Sequence, residues 1–164
     1  MNSIDKVNKL SKSDFISIFG NVFEKTEWIA QKSYDSKPYK NFEELFSKMM
    51  EIFEDTNKEN HTKILKAHPD LAIEKKLTKD SKNEQKNASL NECTDEEFAE
   101  FKKLNEEYKK KFEFPFIIAV KGKNKEEILN SFRQRITNNI NLEFEEAKKQ
   151  VKKIASFRLS EIIK

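Results

Sequence analysis

Glycine and cysteine are scarce in this sequence of 164 residues, and their scarcity excludes several classes of protein. Gly20 and Gly122 are the only glycines, so the chain lacks the glycine-rich loops with which P-loop and Rossmann proteins hold phosphate groups. Cys93 is the only cysteine, which excludes a disulfide framework within the chain and a cysteine-based zinc site. We therefore expect a cytoplasmic protein.

Long apolar runs and blocks of one charge are missing as well. No stretch approaches the roughly 20 apolar residues of a membrane span, and residues 1–15 lack the apolar core of a signal peptide. The 32 Lys and Arg alternate with 29 Asp and Glu, whereas nucleic-acid sites cluster basic residues on one face. We expect neither a membrane nor a nucleic acid as a partner. Weak nucleic-acid binding through residues 148–153, KKQVKK, stays an alternative to a solvated helix face.

The patterns that are present are mostly helical. Charged residues make up 37% of the chain, above the average of about 25%, and 14 Phe residues are available to fill a core. Only residues 112–120, FEFPFIIAV, read as a buried extended segment, because Pro115 does not suit a helix interior. We predict an all-α fold, a single-domain bundle of about eight helices over residues 1–164 with this one extended segment. The predicted helix N-caps are Asn41, Ser81, Thr94, Asn124 and Asn141.

His68 stands in the segment KILKAHPDLA, where Pro69 ends a helix. Histidine exchanges a proton near neutral pH without a large pKa shift, and Asp70 is close enough to orient an imidazole. The alternative is a plain helix stop in which Asp70 caps the next helix. His61, in a polar run, is expected at the surface.

Two further segments carry polar or backbone groups that a bundle does not require. Glu84 and Gln85 follow Ser81 and belong to no apolar stripe, so they are available to a cleft beside a helix N-terminus. Pro115 frees the neighbouring backbone of residues 116–118 from regular pairing, which makes its amide groups available to a ligand. The alternatives are a capping box for Ser81 and a core segment for residues 116–118.

Arg158 is one of three arginines and lies on the apolar stripe of the last predicted helix. A charged side chain on such a stripe is rarely buried without a partner. Arg158 therefore either forms an internal salt bridge, for example to Glu84 or Asp70, or holds a ligand carboxylate or carbonyl with its guanidinium fork.

Taken together, these segments resemble the 2-oxo-4-hydroxy-4-carboxy-5-ureidoimidazoline (OHCU) decarboxylase family. The resemblance runs from Leu10 to Ile162, and its most specific part is residues 101–117. The segments that carry it, in chain order, are HPDLA, Ser-x-x-Glu-Gln, F-x-x-L-N-x-x-Y-x-x-K-F-x-F-P-F-I, R-I-x-N and I-A-x-x-R-L. Glu113 and Ser89 stand where the family usually has glycine, so each is expected to occupy a turn that glycine makes more easily.

The resemblance implies a function and a set of site residues. It implies decarboxylation of the ureidoimidazoline to (S)-allantoin in urate degradation, by a helical homodimer that uses no metal and no organic cofactor. His68 resembles the catalytic histidine, which acts first as acid or as base, and Glu84 resembles its acidic partner. The residues that resemble substrate-binding positions are Pro69, Ser81, Gln85, Phe116, Ile117, Ile118 and Arg158. Action on a related ureido acid, or a non-enzymatic adaptor with a Phe-rich groove, are the alternatives.

Overall fold

The computed structural model describes residues 2–71, 79–87, 90 and 93–164, and these residues form helices joined by short connections. The all-α prediction is confirmed. The chain divides into two compact units, the first comprising Met1–Ala67 and Lys152–Lys164 and the second comprising His68–Val151. The prediction of one domain over residues 1–164 stays a prediction. In the described residues the helices are α1 (Ile4–Asn8), α2 (Lys12–Phe19), α3 (Glu27–Asp35), α4 (Phe42–Asp55), α5 (Lys58–Ala67), α6 (Lys79–Asn87), α7 (Asp95–Phe112), α8 (Lys125–Arg135) and α9 (Ile140–Ile162).

The first unit contains α1 to α5 and the C-terminal part of α9. Its α4 begins as predicted, because the Asn41 side chain accepts a hydrogen bond from the Glu44 amide at 2.8 Å. The core is built mainly from aromatic and aliphatic side chains, among them the stacked rings of Phe23 and Phe53, whose centroids are 5.1 Å apart. Fully buried residues of this unit include Val7, Phe15, Ile29, Leu45, Met49, Ala155 and Leu159.

His61 is buried in the first unit, so its expected place at the surface is wrong. Its side chain is 5% exposed, and its Nε2 atom lies 2.6 Å from the carbonyl oxygen of Phe53. The ring also packs against the Phe53 ring, with centroids 5.0 Å apart. The polar neighbours of His61 in sequence lie on the other side of α5, and one hydrogen bond satisfies the imidazole within the core.

The second unit contains α6, α7, α8 and the N-terminal part of α9. Thr94 and Asn124 each form a complete capping box, as predicted, with Glu97 and Glu127. Aromatic rings fill much of this core, and the Phe116 and Phe132 rings stack 3.9 Å apart at 7°. Such pairs stabilise a core beyond the area that they bury.

Residues 115–120 lie between α7 and α8 and are neither helix nor strand, and each of them is buried. The predicted segment 112–120 is confirmed as a buried break in the helical pattern, but Phe112 still belongs to α7. The helix ends at Glu113, whose φ of 65° and ψ of 19° place it in the left-handed region. Glu113 therefore occupies a conformation that glycine adopts without strain, as expected. Ser89 lies outside the described residues.

Three local predictions in the second unit are wrong. Ser81 is not an N-cap, because α6 already begins at Lys79 and the Ser81 side chain is buried. Asn141 does not open α9, which begins at Ile140 with Asn139 Oδ1 accepting a hydrogen bond from the Leu142 amide. The sequence also predicts Phe98 on one apolar stripe with Phe101, Leu104, Tyr108 and Phe112, whereas the Phe98 side chain is 44% exposed. For Ser81 and Asn141 the sequence fits helix starts less than one turn apart, and packing decides between them. Within the described ranges, every helix is too short or too polar to cross a membrane.

Candidate active site

His68 begins the second unit, directly after the last residue of α5. Its side chain is 8% exposed, and Pro69 beside it is half-buried. Pro69 prevents α5 from continuing, since its ring removes an amide donor and disfavours helical geometry at the preceding residue. The sequence thus places a buried imidazole in a non-helical segment, where helix geometry does not dictate its direction.

The two residues after Pro69 are fastened by side chains of α7. Lys109 Nζ lies 2.8 Å from Asp70 Oδ2, and Asn105 Nδ2 donates to the carbonyl oxygen of Leu71 at 3.0 Å. Asn105 and Lys109 are four residues apart, so they lie on the same face of the helix. Asn105 is 1% exposed, which places its hydrogen bond out of competition with water. The His68–Leu71 segment is therefore fixed at its C-terminal end by a buried amide and a partly exposed ion pair.

Ser81 lies one helical turn before the adjacent residues Glu84 and Gln85 on α6, and all three are predicted site residues. Ser81, Glu84 and Gln85 have the spacing of neighbours on one helix face. Ser81 and Gln85 are buried, at 5% and 8% exposure, whereas Glu84 is half-buried. Gln85 Nε2 donates to the carbonyl oxygen of Asp70 at 3.2 Å. The structure thus brings α6 and the segment after His68 together through Gln85.

Phe116, Ile117 and Ile118 lie in the buried segment 115–120, also in the second unit. Two side chains hold the backbone of this segment. Arg135 Nη1 donates to the carbonyl oxygen of Ile117 at 2.6 Å, and the Ala119 amide donates to Gln150 Oε1 at 3.0 Å. These bonds take the place of the regular ladder that the segment lacks, which satisfies its buried polar groups.

Arg135 belongs to a buried network centred on the fully buried carboxylate of Glu143. Arg135 Nε and the Tyr108 hydroxyl each donate to Glu143 Oε1 at 2.7 Å, and Asn138 Nδ2 donates to Oε2 at 3.0 Å. The guanidinium also lies over the Phe116 ring, 4.3 Å from its centroid. Burial, and next the hydrogen bond to the Glu143 carboxylate, raise the pKa of Tyr108, so the phenol stays protonated.

Arg158 belongs to the first unit, where it is 6% exposed. Its Nη2 atom pairs with Glu24 Oε2 at 2.7 Å, and its Nη1 atom donates to the carbonyl oxygen of Asn21 at 2.8 Å. The internal salt bridge, one of the two alternatives for Arg158, is present, and Glu24 is its acidic partner within the first unit. Glu24 is itself fully buried, so the pair is shielded from solvent.

The sequence model of the OHCU decarboxylase family matches residues 8–160. The chain belongs to the OHCU decarboxylase family. A 2-oxo-4-hydroxy-4-carboxy-5-ureidoimidazoline decarboxylase of Haloferax volcanii is 34% identical over 97% of this chain and 95% of its own length. A uric acid degradation bifunctional protein of Bacillus sp. (strain TB-90) is 42% identical over the whole chain, which spans 33% of the length of that relative.

Two solved structures share the fold. An (S)-allantoin synthase superposes with a TM-score of 0.76 at 26% identity, covering 98% of this chain and 54% of that one. An OHCU decarboxylase crystallised in the presence of (S)-allantoin gives a TM-score of 0.74 at 22% identity, covering 94% and 99% of the two chains. At that identity, the second match speaks for the fold alone.

Sequence reasoning missed the residues that hold the family's site segments in place. Glu143 stands four residues before Ala147 and Gln150 four residues before Ile154, so both continue the apolar stripe of α9. That register was the available signal, but the high charge of residues 143–149 hides it. Glu24 gives no comparable signal, since it follows α2 in a connection whose path depends on tertiary packing.

Proposed function

We propose that this chain decarboxylates 2-oxo-4-hydroxy-4-carboxy-5-ureidoimidazoline to (S)-allantoin, a step of urate degradation. The observation that carries the proposal is membership of the OHCU decarboxylase family over residues 8–160. The relative of nearly equal length in Haloferax volcanii supports it further, because the match extends over 95% of that protein. The chain is then a carboxy-lyase.

His68 is the proposed proton-transfer group. It is buried, it stands outside a helix, and the segment that follows it is fastened by Gln85, Asn105 and Lys109. A positioned imidazole of this kind contributes about 10²–10⁴-fold by general acid–base catalysis. Glu84 is proposed as its acidic partner, since a carboxylate fixes the tautomer and the orientation of an imidazole.

The substrate supplies the electron sink in this proposal. As carbon dioxide leaves, the electron pair of the broken carbon–carbon bond moves into the conjugated C=N bond of the imidazoline. The nitrogen of that bond takes up a proton from solvent, and the 4-hydroxyl group loses its own as a carbonyl forms, while a proton is delivered to one face of the neighbouring carbon. The tasks left to the protein are orientation and proton transfer, for which no metal or organic cofactor is required.

Substrate binding is assigned to the residues that resemble the substrate-binding positions of the family. Ser81, Gln85 and Arg158 are proposed to hold polar groups of the ring and the ureido chain, and Glu24 and the carbonyl oxygen of Asn21 fix the orientation of the Arg158 guanidinium for this. Pro69 and residues 116–118 are proposed to form the wall of the pocket. The wall is mostly apolar, and its buried backbone is available for a few directed hydrogen bonds.

Circular dichroism of allantoin formation tests the proposal. The ureidoimidazoline is generated in situ from urate, with and without the protein, in the presence of EDTA. Spontaneous decay gives racemic product, so a rapid and lasting signal of one sign is the expected result. Turnover at the unassisted rate would overturn the proposed activity and point to a related ureido acid as substrate.

A pair of histidine variants tests the role of His68 within the same assay. His68→Asn is expected to lower kcat by about 10²–10⁴-fold with the fold retained. His61→Asn is the matched control, because His61 is the other histidine of the chain and packs in the core of the first unit. It is expected to lower stability but to leave turnover per folded molecule unchanged. Activity of His68→Asn within a few-fold of the parent would rule out its catalytic role.

We also propose that the active form is a cytoplasmic homodimer. The start of α9 offers apolar surface for such an interface, since Ile140 and Leu142 are 57% and 54% exposed. Sedimentation velocity over a range of protein concentrations measures the state directly, and a monomer at every concentration would exclude the dimer.

A further inference from the structure

We propose that Arg135 is a positioning residue of the active site, which sets the direction of the backbone amide of Ile118 by holding the preceding carbonyl group. The inference rests on the proposed function, in which residues 116–118 wall the substrate pocket. It assigns a role to the R-I-x-N segment, whose contribution the proposed chemistry leaves open.

Residues 115–120 belong to neither a helix nor a sheet, so no repeating hydrogen-bond pattern fixes the orientation of their peptide planes. Instead, Arg135 Nη1 holds the carbonyl oxygen of Ile117 and Gln150 Oε1 holds the amide of Ala119. These two anchors stand on either side of Ile118.

Covalent geometry couples the carbonyl group of Ile117 to the amide of Ile118. The carbonyl of Ile117 and the amide of Ile118 belong to one planar peptide group, and this peptide bond is trans. In a trans peptide group the N–H bond points opposite to the C=O bond. Because the carbonyl is directed at Arg135, the Ile118 amide is directed away from it. The position of the guanidinium therefore determines where that amide can meet a ligand.

The guanidinium of Arg135 is held rigidly by Glu143 and by the Phe116 ring. Glu143 Oε1 accepts a hydrogen bond from Nε at 2.7 Å and lies within ion-pair distance of Nη2, and the Phe116 ring lies against the face of the guanidinium. Tyr108 in turn fixes the Glu143 carboxylate. A lysine at position 135 reaches one of these acceptors but not all of them, since an ammonium is a point charge without the fork of a guanidinium.

The energetics of the Arg135–Glu143 ion pair favour a positioning role over a stabilising one. A buried ion pair is seldom a net source of stability, because desolvation of the two charges offsets most of their attraction. A pair of apolar residues of similar size would fill the same space. Such a pair leaves the Ile117 carbonyl without its donor, so what the ion pair provides and an apolar pair does not is a fixed peptide plane.

Steady-state kinetics of matched arginine variants tests the inference. Arg135→Lys is expected to raise KM by about ten- to a hundredfold, the effect of a misplaced binding group. Arg133→Lys is the control, because it is the same substitution on the same helix at an arginine that pairs with Glu100 at the surface. Its KM is expected to stay within twofold of the parent. KM does not depend on the fraction of folded enzyme, so a merely structural loss does not imitate this result.

Tyr108→Phe keeps the inference testable if Arg135→Lys fails to fold. It preserves the ring and removes only the hydroxyl donor to Glu143, so a smaller rise in KM, about two- to fivefold, is expected. An unchanged KM in every one of these variants that folds, whether Arg135→Lys, Tyr108→Phe or both, would overturn the inference.

Hydrogen exchange gives a readout that does not depend on activity. In Arg135→Lys the amides of residues 116–120 are expected to exchange at least about tenfold faster, while those of α7 and α9 keep their rates. Equal acceleration in every helix would mean a structural role only and would overturn the inference. Because exchange is measured without substrate, this outcome is distinguishable from a failure of the proposed decarboxylase activity, which kinetics of the parent protein detects.

Discussion

Replacement of Glu113 by glycine is expected to stabilise the protein. Glu113 ends α7 with a φ of 65° and a ψ of 19°, and its side chain is exposed. The left-handed conformation costs an L-residue about 1–2 kcal/mol, and glycine gives back about 0.5–1 kcal/mol through its larger entropy in the unfolded chain. The difference predicts that Glu113→Gly raises the free energy of unfolding by about 0.5–1 kcal/mol.

Urea unfolding followed by far-UV circular dichroism measures this change as a shift in midpoint at constant slope. In a domain of this size the expected rise in Tm is about 1–4 °C. Glu113→Ala is the first control, because it removes the carboxylate but keeps the Cβ atom, and its stability should stay near that of the parent. Glu107→Gly is the second, since position 107 lies inside α7 and should lose about 1 kcal/mol there.

The reasoning fails if Glu113→Gly is no more stable than the parent protein. It also fails if Glu113→Ala gains as much stability as Glu113→Gly. The gain would then come from removing a negative charge at the C-terminal, negative end of the helix dipole and not from relief of backbone strain. The expected order of stability is Gly, then Glu and Ala together, at position 113.

Two further predictions concern buried polar groups of the first unit. Glu24→Gln should lower the free energy of unfolding by about 3–5 kcal/mol, because it removes one charge of a buried ion pair and keeps the other. Glu24→Leu combined with Arg158→Met should lose less, because both charges are then removed; urea unfolding of both variants checks this, and equal losses would contradict it. Burial, the largest cause, raises the pKa of Tyr39 to about 12, so its contribution to stability is complete below pH 10 and is lost as the pH rises toward 12. Unfolding measured at pH 9 and pH 11 should show a steeper loss for the parent than for Tyr39→Phe, and parallel losses would refute the assignment.

Much of the helical architecture was predictable because capping is local. Thr94 with Glu97 and Asn124 with Glu127 identify the starts of α7 and α8 within four residues each, and both boxes form as the sequence indicates. Ser81 with Glu84 has the same pattern, yet α6 begins at Lys79. A capping box states a local preference, and contacts with distant parts of the chain can move the helix start by a turn or less.

The candidate site was predictable where its residues interrupt a pattern. His68 precedes a proline and Arg158 stands on an apolar stripe, so each contradicts its surroundings and draws attention. Glu143 does not, because it is one acidic residue among several, and Glu24 does not, because it lies in a connection whose charges are mixed. Their importance comes from complete burial, which depends on chain segments far away in sequence and cannot be inferred from local composition.

The division of α9 between the two units has a consequence for biosynthesis. The first unit contains Met1–Ala67 and again Lys152–Lys164, so a ribosome produces all of the second unit before the first one can be completed. Ala155 and Leu159, which fill the core of the first unit, follow the whole of the second unit along the chain. Until they emerge, helices α1 to α5 expose apolar surface that awaits them. We expect nascent chains to need protection by chaperones from the emergence of α5 until α9 has emerged, whereas the second unit is contiguous and can fold as its residues appear.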